Sequence, residues 1–257
     1  MSTSDPEVTR TVVTYDDGPD ADPEQDFGAL YLPPGPLEPG SVPLVVLVHG
    51  GAWKLPGSAG AVVHVARDLA ARGTAVYNIE YRRIGAGGGW PETFDDVARA
   101  VDFTPRLLAE HPELAGAVTV AGHSSGAQLA TWAGTRGSPA FRPDRVVSLA
   151  GPLDMATAVA DGDEAIVEAL GGTPAQVPDR YARVDPIRNL APGVPVLAVH
   201  GTDDRIVLPH CSENYVSALN DAGGDGRQVL LDGAHHTSFL EPDDPHYPRI
   251  LDLIAGR

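Results

Sequence analysis

Four short stretches carry residue types that could together break an acyl bond. Gly122-His123-Ser124-Ser125-Gly126 is a Gly-x-Ser-x-Gly motif that follows the β-branched run Val118-Thr119-Val120 and precedes the helix-like Gln128-Leu129-Ala130-Thr131-Trp132. In that setting the serine sits at a sharp turn from strand to helix, and the flanking glycines let neighbouring backbone pass close. Ser124 is therefore the candidate nucleophile. A serine hydroxyl reacts poorly at neutral pH unless a base takes its proton and a carboxylate orients that base. Gly233-Ala234-His235-His236-Thr237 supplies two adjacent imidazoles, with His236 preferred over His235. Gly201-Thr202-Asp203-Asp204-Arg205-Ile206-Val207 supplies two aspartates, with Asp204 preferred over Asp203, and Asp154 is a weaker substitute. Turn aspartates often do no more than cap nearby amides, so chain order carries the assignment: Ser, Asp, His is the sequence this elbow predicts.

Attack on an acyl carbon puts negative charge on its oxygen, which fixed backbone N–H groups stabilise. The Ser125 amide, one residue past the nucleophile, is one expected donor. Gly51 and Ala52 are the others, in His49-Gly50-Gly51-Ala52-Trp53, where absent or small side chains let the turn approach the substrate. Trp53, and Trp90 across the site, are expected to wall an apolar or aromatic acyl group.

The scaffold for these loops is legible as alternating strands and helices. Thr11–Tyr15 and Phe27–Leu32 are β-prone runs separated by Asp, Gly and Pro, which suggests an antiparallel pair at a sheet edge. Val42–Val48 is nearly continuous apolar sequence, as in a parallel strand buried on both faces. Ala61–Ala71 has helical spacing, Gly73 stops it, and Ala75–Ile79 is the next strand. Thr93–Ala109 reads as an amphipathic helix kinked or ended early by Pro105. Arg145–Leu149, Pro195–Val199 and Gln228–Leu231 read as strands, Glu213–Leu219 and Tyr247–Ala255 as helices. The expected class is α/β: one domain over 1–257 with a mostly parallel, doubly wound sheet and an antiparallel N-terminal edge. Residues 152–194 are too long for a plain connection and are expected to form a small helical lid. All three candidate catalytic loops follow strands, where ligands of such sheets sit.

Composition narrows the rest. A net charge of -17, from 18 Lys plus Arg against 35 Asp plus Glu, disfavours a nucleic-acid partner. The opening Met1-Ser2-Thr3-Ser4-Asp5-Pro6-Glu7 has no basic start or apolar core, and no run approaches membrane-spanning length, so a cytoplasmic protein off the membrane is expected. Cys211 is the single cysteine and is read as structural. The nine histidines form no HExxH or paired Cys/His spacing, so no metal is expected. Gly85-Ala86-Gly87-Gly88-Gly89-Trp90 looks superficially like a dinucleotide loop. Its sixth position is Trp90 rather than Gly or Ala, and Pro91 follows, so a rim loop and no cofactor are expected.

Taken in order, the HGG turn at 49–53, Tyr81-Arg82, the elbow at 122–126, Gly201–Val207 and Gly233–His236 resemble a lid-poor α/β-hydrolase, near the esterases and arylformamidases with an HGG-type oxyanion turn. The resemblance covers nearly the whole chain. It implies the acid at Asp204 and the base at His236. The expected function is a serine hydrolase acting on a small carboxylic ester through an acyl-enzyme. An aryl formamide of the N-formylkynurenine type is the runner-up, a peptide bond ranks third, and a non-catalytic ligand-binding protein of the same fold is the alternative class.

Overall fold

The computed structural model describes residues 7–16, 18 and 21–257; residues 1–6, read above for a secretory signal, lie outside the described residues. Eight strands form one sheet: β1 Thr9–Thr14, β2 Phe27–Leu32, β3 Val42–Val48, β4 Ala75–Ile79, β5 Leu114–His123, β6 Arg145–Leu149, β7 Val196–Gly201 and β8 Gly226–Leu231. Their spatial order is β1-β2-β4-β3-β5-β6-β7-β8. The β1/β2 and β2/β4 pairs are antiparallel and every later pair is parallel. This is the doubly wound sheet with an antiparallel N-terminal edge that the sequence suggests.

Nine α-helices accompany the sheet among the described residues: α1 Val63–Ala71, α2 Glu92–Asp102, α3 Thr104–Glu110, α4 Ser125–Thr135, α5 Met155–Ala160, α6 Glu164–Leu170, α7 Pro178–Val184, α8 His210–Asp221 and α9 Tyr247–Ala255. The alternation of β3 explains its unbroken apolar run. Leu44, Val46 and Val48 face a core shared with Phe94 and Val97 of α2 and Leu129 of α4. Val45 and Leu47 face the opposite core, with Val65 and Leu69 of α1 and Ile250 of α9. Both faces of the strand are dry, so polar residues have no place on either. A third cluster packs Tyr215 and Leu219 of α8 on Val146 and Val196.

Local propensity and tertiary structure part company at two places. The helix expected over 93–109 is interrupted between α2 and α3, with Pro105 in the first turn of α3, where its missing N–H costs least. β5 begins at Leu114, well before the β-branched run, because pairing with β3 draws weak β formers into the strand, with a register shift between Val42 and Leu44.

The 152–194 excursion holds α5, α6 and α7, each too short to persist alone. Burial holds them: Met155, Ile166, Leu170, Tyr181 and Val184 are at 0% exposure in the core shared with α2 and α4. Each such side chain contributes about 1.5–3 kcal/mol. Asp163 caps α6 by accepting the amides of Ala165 and Ile166. Among the described residues, no helix is long and apolar enough to cross a membrane.

Candidate active site

β5 ends at His123 and α4 begins at Ser125, leaving Ser124 alone at the turn with φ 56° and ψ −125°. That conformation costs a non-glycine residue about 1–3 kcal/mol and persists only where packing overdetermines it. Here α4 is buried on all sides, and the Ser124 amide donates to Leu149 O at 2.9 Å. The flanking glycines are sterically required. A Cβ on Gly122 would stand 2.2 Å from Gly126 O, and one on Gly126 would stand 2.2 Å from His49 O.

Asp204 lies just beyond β7 and His236 just beyond β8, so both arrive at the elbow from the same end of the sheet. The Ser124 hydroxyl donates to His236 Nε2 at 2.9 Å, and His236 Nδ1 donates to Asp204 Oδ2 at 2.7 Å. The other Asp204 oxygen, Oδ1, accepts the amides of Ile206 at 2.9 Å and Val207 at 3.0 Å. Burial alone would raise the Asp204 carboxyl, but hydrogen bonding from His200 and His236 outweighs it and holds the group well below the usual carboxylate range.

The alternatives at adjacent positions point elsewhere. Asp203 has a side chain 61% exposed, 4.0 Å from Arg205. His235 is exposed and turned to the hydroxyls of Thr237 and Ser238. Asp154 caps α5 through the Thr157 amide and also accepts from Asn214.

The HGG turn is braced from behind. His49 Nε2 is 2.7 Å from Glu80 Oε1, its ring stacks on Tyr81 at 4.2 Å, and the Tyr81 hydroxyl donates to His49 O at 2.9 Å. Burial opposes ionisation of Glu80, yet bonding from His49 and from the amides of Ala59 and Tyr81 brings its carboxyl below its ordinary value. In front of that brace, Ala52 and Trp53 both adopt positive φ, 55° and 57°. Ala52 and Ser125 line a cavity of about 360 Å³ into which Ser124 opens. Gly51 is not among the lining residues, and at φ 120° a Cβ on it would stand 2.6 Å from the Gly57 Cα.

Trp53 also borders the cavity, but it is 2% exposed and its indole donates to Gln128 Oε1 at 3.1 Å. Trp90 does not join it: the ring packs on Phe94 and beneath the guanidinium groups of Arg180 and Arg183. The expectation of an aromatic wall from Trp90 is therefore corrected. Cation and ring–ring contacts engage its ring, a pairing invisible until α7 brings Arg180 and Arg183 beside it. The walls are instead small and apolar at Pro152, Ala158, Val207 and Leu208, with Asp161, Asp163, Glu164 and Arg205 bringing charge. Cys211 lines the cavity as well, and burial pushes its thiol up to about 12. Two groups of described residues hold three metal-ligand atoms within 4.8 Å: Asp161, His210 and Cys211, and His235, Glu241 and Asp244. In the first, Asp161 and His210 already bond each other at 2.6 Å.

Two further histidines support the site and were not singled out in the sequence. His123, the variable residue of the elbow motif, donates from Nε2 to His236 O at 2.9 Å. Burial, then the nearby His236 charge, push its value down to about 3, so it stays neutral. His200 stands behind Asp204, with Nε2 3.3 Å from Oδ2. The signal that could have found them is shared: His49, His123 and His200 each end an apolar strand run, where a polar ring has no ordinary packing role.

Fold and site together define an α/β-hydrolase with a serine, histidine and aspartate aligned at a nucleophile elbow. The chain belongs to the BD-FAE family, whose model matches residues 29–219. It is 24% identical over 234 residues to a rice protein (Oryza sativa subsp. japonica) named "Probable isoprenylcysteine alpha-carbonyl methylesterase ICME", covering 83% of this chain and 56% of that one. It is 26% identical over 221 residues to "Esterase LipQ" of Mycobacterium tuberculosis, covering 79% and 52%. The chain thus spans about half the length of the curated relatives it matches. Among solved structures, the propionate-bound esterase Est2 of Thermogutta terrifontis superposes with a TM-score of 0.74 at 21% identity, over 96% of this chain and 92% of that one, and shares the fold.

Proposed function

We propose that the protein is a serine hydrolase of small carboxylic esters, with Ser124 as nucleophile, His236 as general base and acid, and Asp204 as the carboxylate that orients it. The observation that carries this reading is the unbroken chain Ser124 Oγ to His236 Nε2 at 2.9 Å and His236 Nδ1 to Asp204 Oδ2 at 2.7 Å, opening into a cavity. The names of the relatives support the ester class.

As Ser124 Oγ attacks the ester carbonyl, its proton passes to His236 Nε2 and the carbonyl electrons move onto oxygen. The amides of Ser125 and Ala52, with that of Gly51 behind them, receive the oxyanion. The Ser125 amide is free for this because the first N–H groups of a helix have no intrahelical acceptor. Collapse expels the alcohol, which takes the proton from His236 and leaves an acyl-enzyme on Ser124. Water then attacks by the same route in reverse, and the carboxylic acid departs.

A cavity near 360 Å³ lies at the low end for small-molecule sites and suits a short acyl chain. Three acidic groups against one guanidinium at its walls favour neutral over anionic esters. The test is turnover of short-chain nitrophenyl esters by the wild type and by Ser124→Ala, with a fluorophosphonate probe reading the nucleophile directly. Loss of about four to six orders of magnitude and of labelling is expected; an active Ser124→Ala variant overturns the assignment. Faster turnover of N-formylkynurenine than of any ester would move the substrate class to formamides. Absence of both labelling and turnover would leave a binding protein.

A further inference from the structure

We propose that His200 is a positioning residue that holds the Asp204 carboxylate in register with His236. The inference rests on the triad reading above and adds a residue to it.

His200 is at 0% exposure, beyond reach of the substrate cavity. Its Nε2 stands 2.9 Å from Val207 O and 3.3 Å from Asp204 Oδ2. A carbonyl and an ionised carboxylate only accept hydrogen bonds, so Nε2 carries a hydrogen whatever the state of the other ring nitrogen. That nitrogen, Nδ1, lies 2.8 Å from the buried Ser212 hydroxyl of α8, which has Gly151 O as a second partner at 3.3 Å. The ring is therefore pinned from both ends.

The consequence falls on Asp204. Its Oδ1 accepts the Ile206 and Val207 amides, and its Oδ2 faces two imidazole N–H groups, from His236 and His200. One ring nitrogen thus acts twice: it faces the carboxylate directly, and it grips the carbonyl of Val207, whose own amide holds the opposite oxygen. Four donors match the four lone-pair sites of a carboxylate. With His200 in place the 204–207 turn and the carboxylate have a single arrangement. Without it, the carboxylate pivots about the two remaining amides, and His236 follows.

The test compares two amide side chains of different reach. In His200→Gln the amide nitrogen falls near the position of Nε2 and keeps the donor toward Val207 O and Asp204. In His200→Asn the nitrogen falls near Nδ1, where it bonds Ser212 and stops short of Asp204. Misplacement of catalytic groups by about 1 Å costs on the order of a hundredfold. We expect His200→Asn to lose about ten- to a hundredfold in kcat on a short-chain nitrophenyl ester with KM within about threefold, and His200→Gln to stay within about threefold in both. The downfield proton resonance of His236 Nδ1–H, bonded to Asp204, should persist in the Gln variant and broaden or shift upfield in the Asn variant.

Native kcat in His200→Asn overturns the proposal, and so does equal loss in both variants, which marks a packing role alone. Should the Asn variant fail to fold, the Gln variant decides. Retained resonance and kcat support the proposal, and loss of either overturns it. If the wild type shows no Ser124-dependent turnover, the triad reading has failed, and the resonance still reports whether His200 holds Asp204.

Discussion

Replacing Asp204 by Asn is the most informative perturbation of the proposed triad, because the structure dictates how the new amide must sit. Asp204 Oδ1 accepts two backbone amides, from Ile206 at 2.9 Å and Val207 at 3.0 Å, so the oxygen of Asn belongs there. Its NH₂ then occupies the Oδ2 position, 2.7 Å from His236 Nδ1 and 3.3 Å from His200 Nε2, whose hydrogen keeps Val207 O as its acceptor at 2.9 Å. It donates to Nδ1, driving the ring hydrogen to Nε2, which can no longer take the proton of Ser124. The opposite rotamer restores the productive tautomer but sets NH₂ against two buried amide N–H groups. Each amide left without an acceptor costs about 1–3 kcal/mol, so that rotamer lies about 2–6 kcal/mol higher. At about 1.4 kcal/mol per factor of ten, this limits the variant to a rate about thirtyfold to twenty-thousandfold below wild type. The wrong-tautomer analogue in other triads loses about ten-thousandfold, near the top of that range. The assay is kcat and KM on a short-chain nitrophenyl ester near neutral pH, beside the rate of fluorophosphonate labelling. Both rates should fall together while KM holds, since Asp204 does not line the cavity. A variant within tenfold of wild type in kcat would refute the orientation argument and with it the role of Asp204.

Other consequences follow from the same structure. Gly126→Ala sets a Cβ 2.2 Å from His49 O and 2.3 Å from Val48 O, both backbone, so either the elbow or the HGG turn must shift. It should cost about 3 kcal/mol or more in stability and most of the activity, and an unchanged melting temperature with native turnover would contradict the packing. His123 is held neutral at about 3 in the folded state against an ordinary value of about 6.5, so between these the unfolded chain binds the extra proton and stability falls as pH falls. Urea unfolding at pH 7 and pH 5 should show about 2 kcal/mol more loss in wild type than in His123→Gln, and parallel losses would dismiss the argument. Asp185 is the reverse case: burial raises its carboxyl to about 6 despite Arg188 Nε at 3.8 Å, and Oδ2 accepts no hydrogen bond among the described residues. A carboxyl raised above its unfolded value of about 3.9 contributes stability only at low pH and loses it as pH climbs toward 6. Asp185→Asn should therefore gain about 1–3 kcal/mol at pH 8 and nothing at pH 4; a loss at pH 8 would mean the charge is wanted.

Much of this molecule could be read from the chain. β2, β3, β4 and α9 have the limits read from apolar runs and helical spacing, because Asp, Gly or Pro stands one or two residues before each and the apolar pattern marks the rest. The elbow was visible for the same reason. Gly122 answers to steric contacts within one strand–turn–helix unit, whereas Gly126 is required by β3 and the HGG turn. The residue types for chemistry, and their places after strands, were likewise visible.

What the string of letters left open was direction. Asp203 and Asp204 are chemically identical, as are His235 and His236, and only the path of each turn above the sheet decides which faces Ser124. Trp90 looked available until α7 laid two guanidinium groups across it. His49, His123 and His200 end three strands at separate places in the sequence, yet parallel pairing in the sheet gathers them behind one serine. Periodicity and glycine spacing report on neighbours along the chain, whereas a buried imidazole takes its meaning from atoms that only folding brings within three ångströms or so.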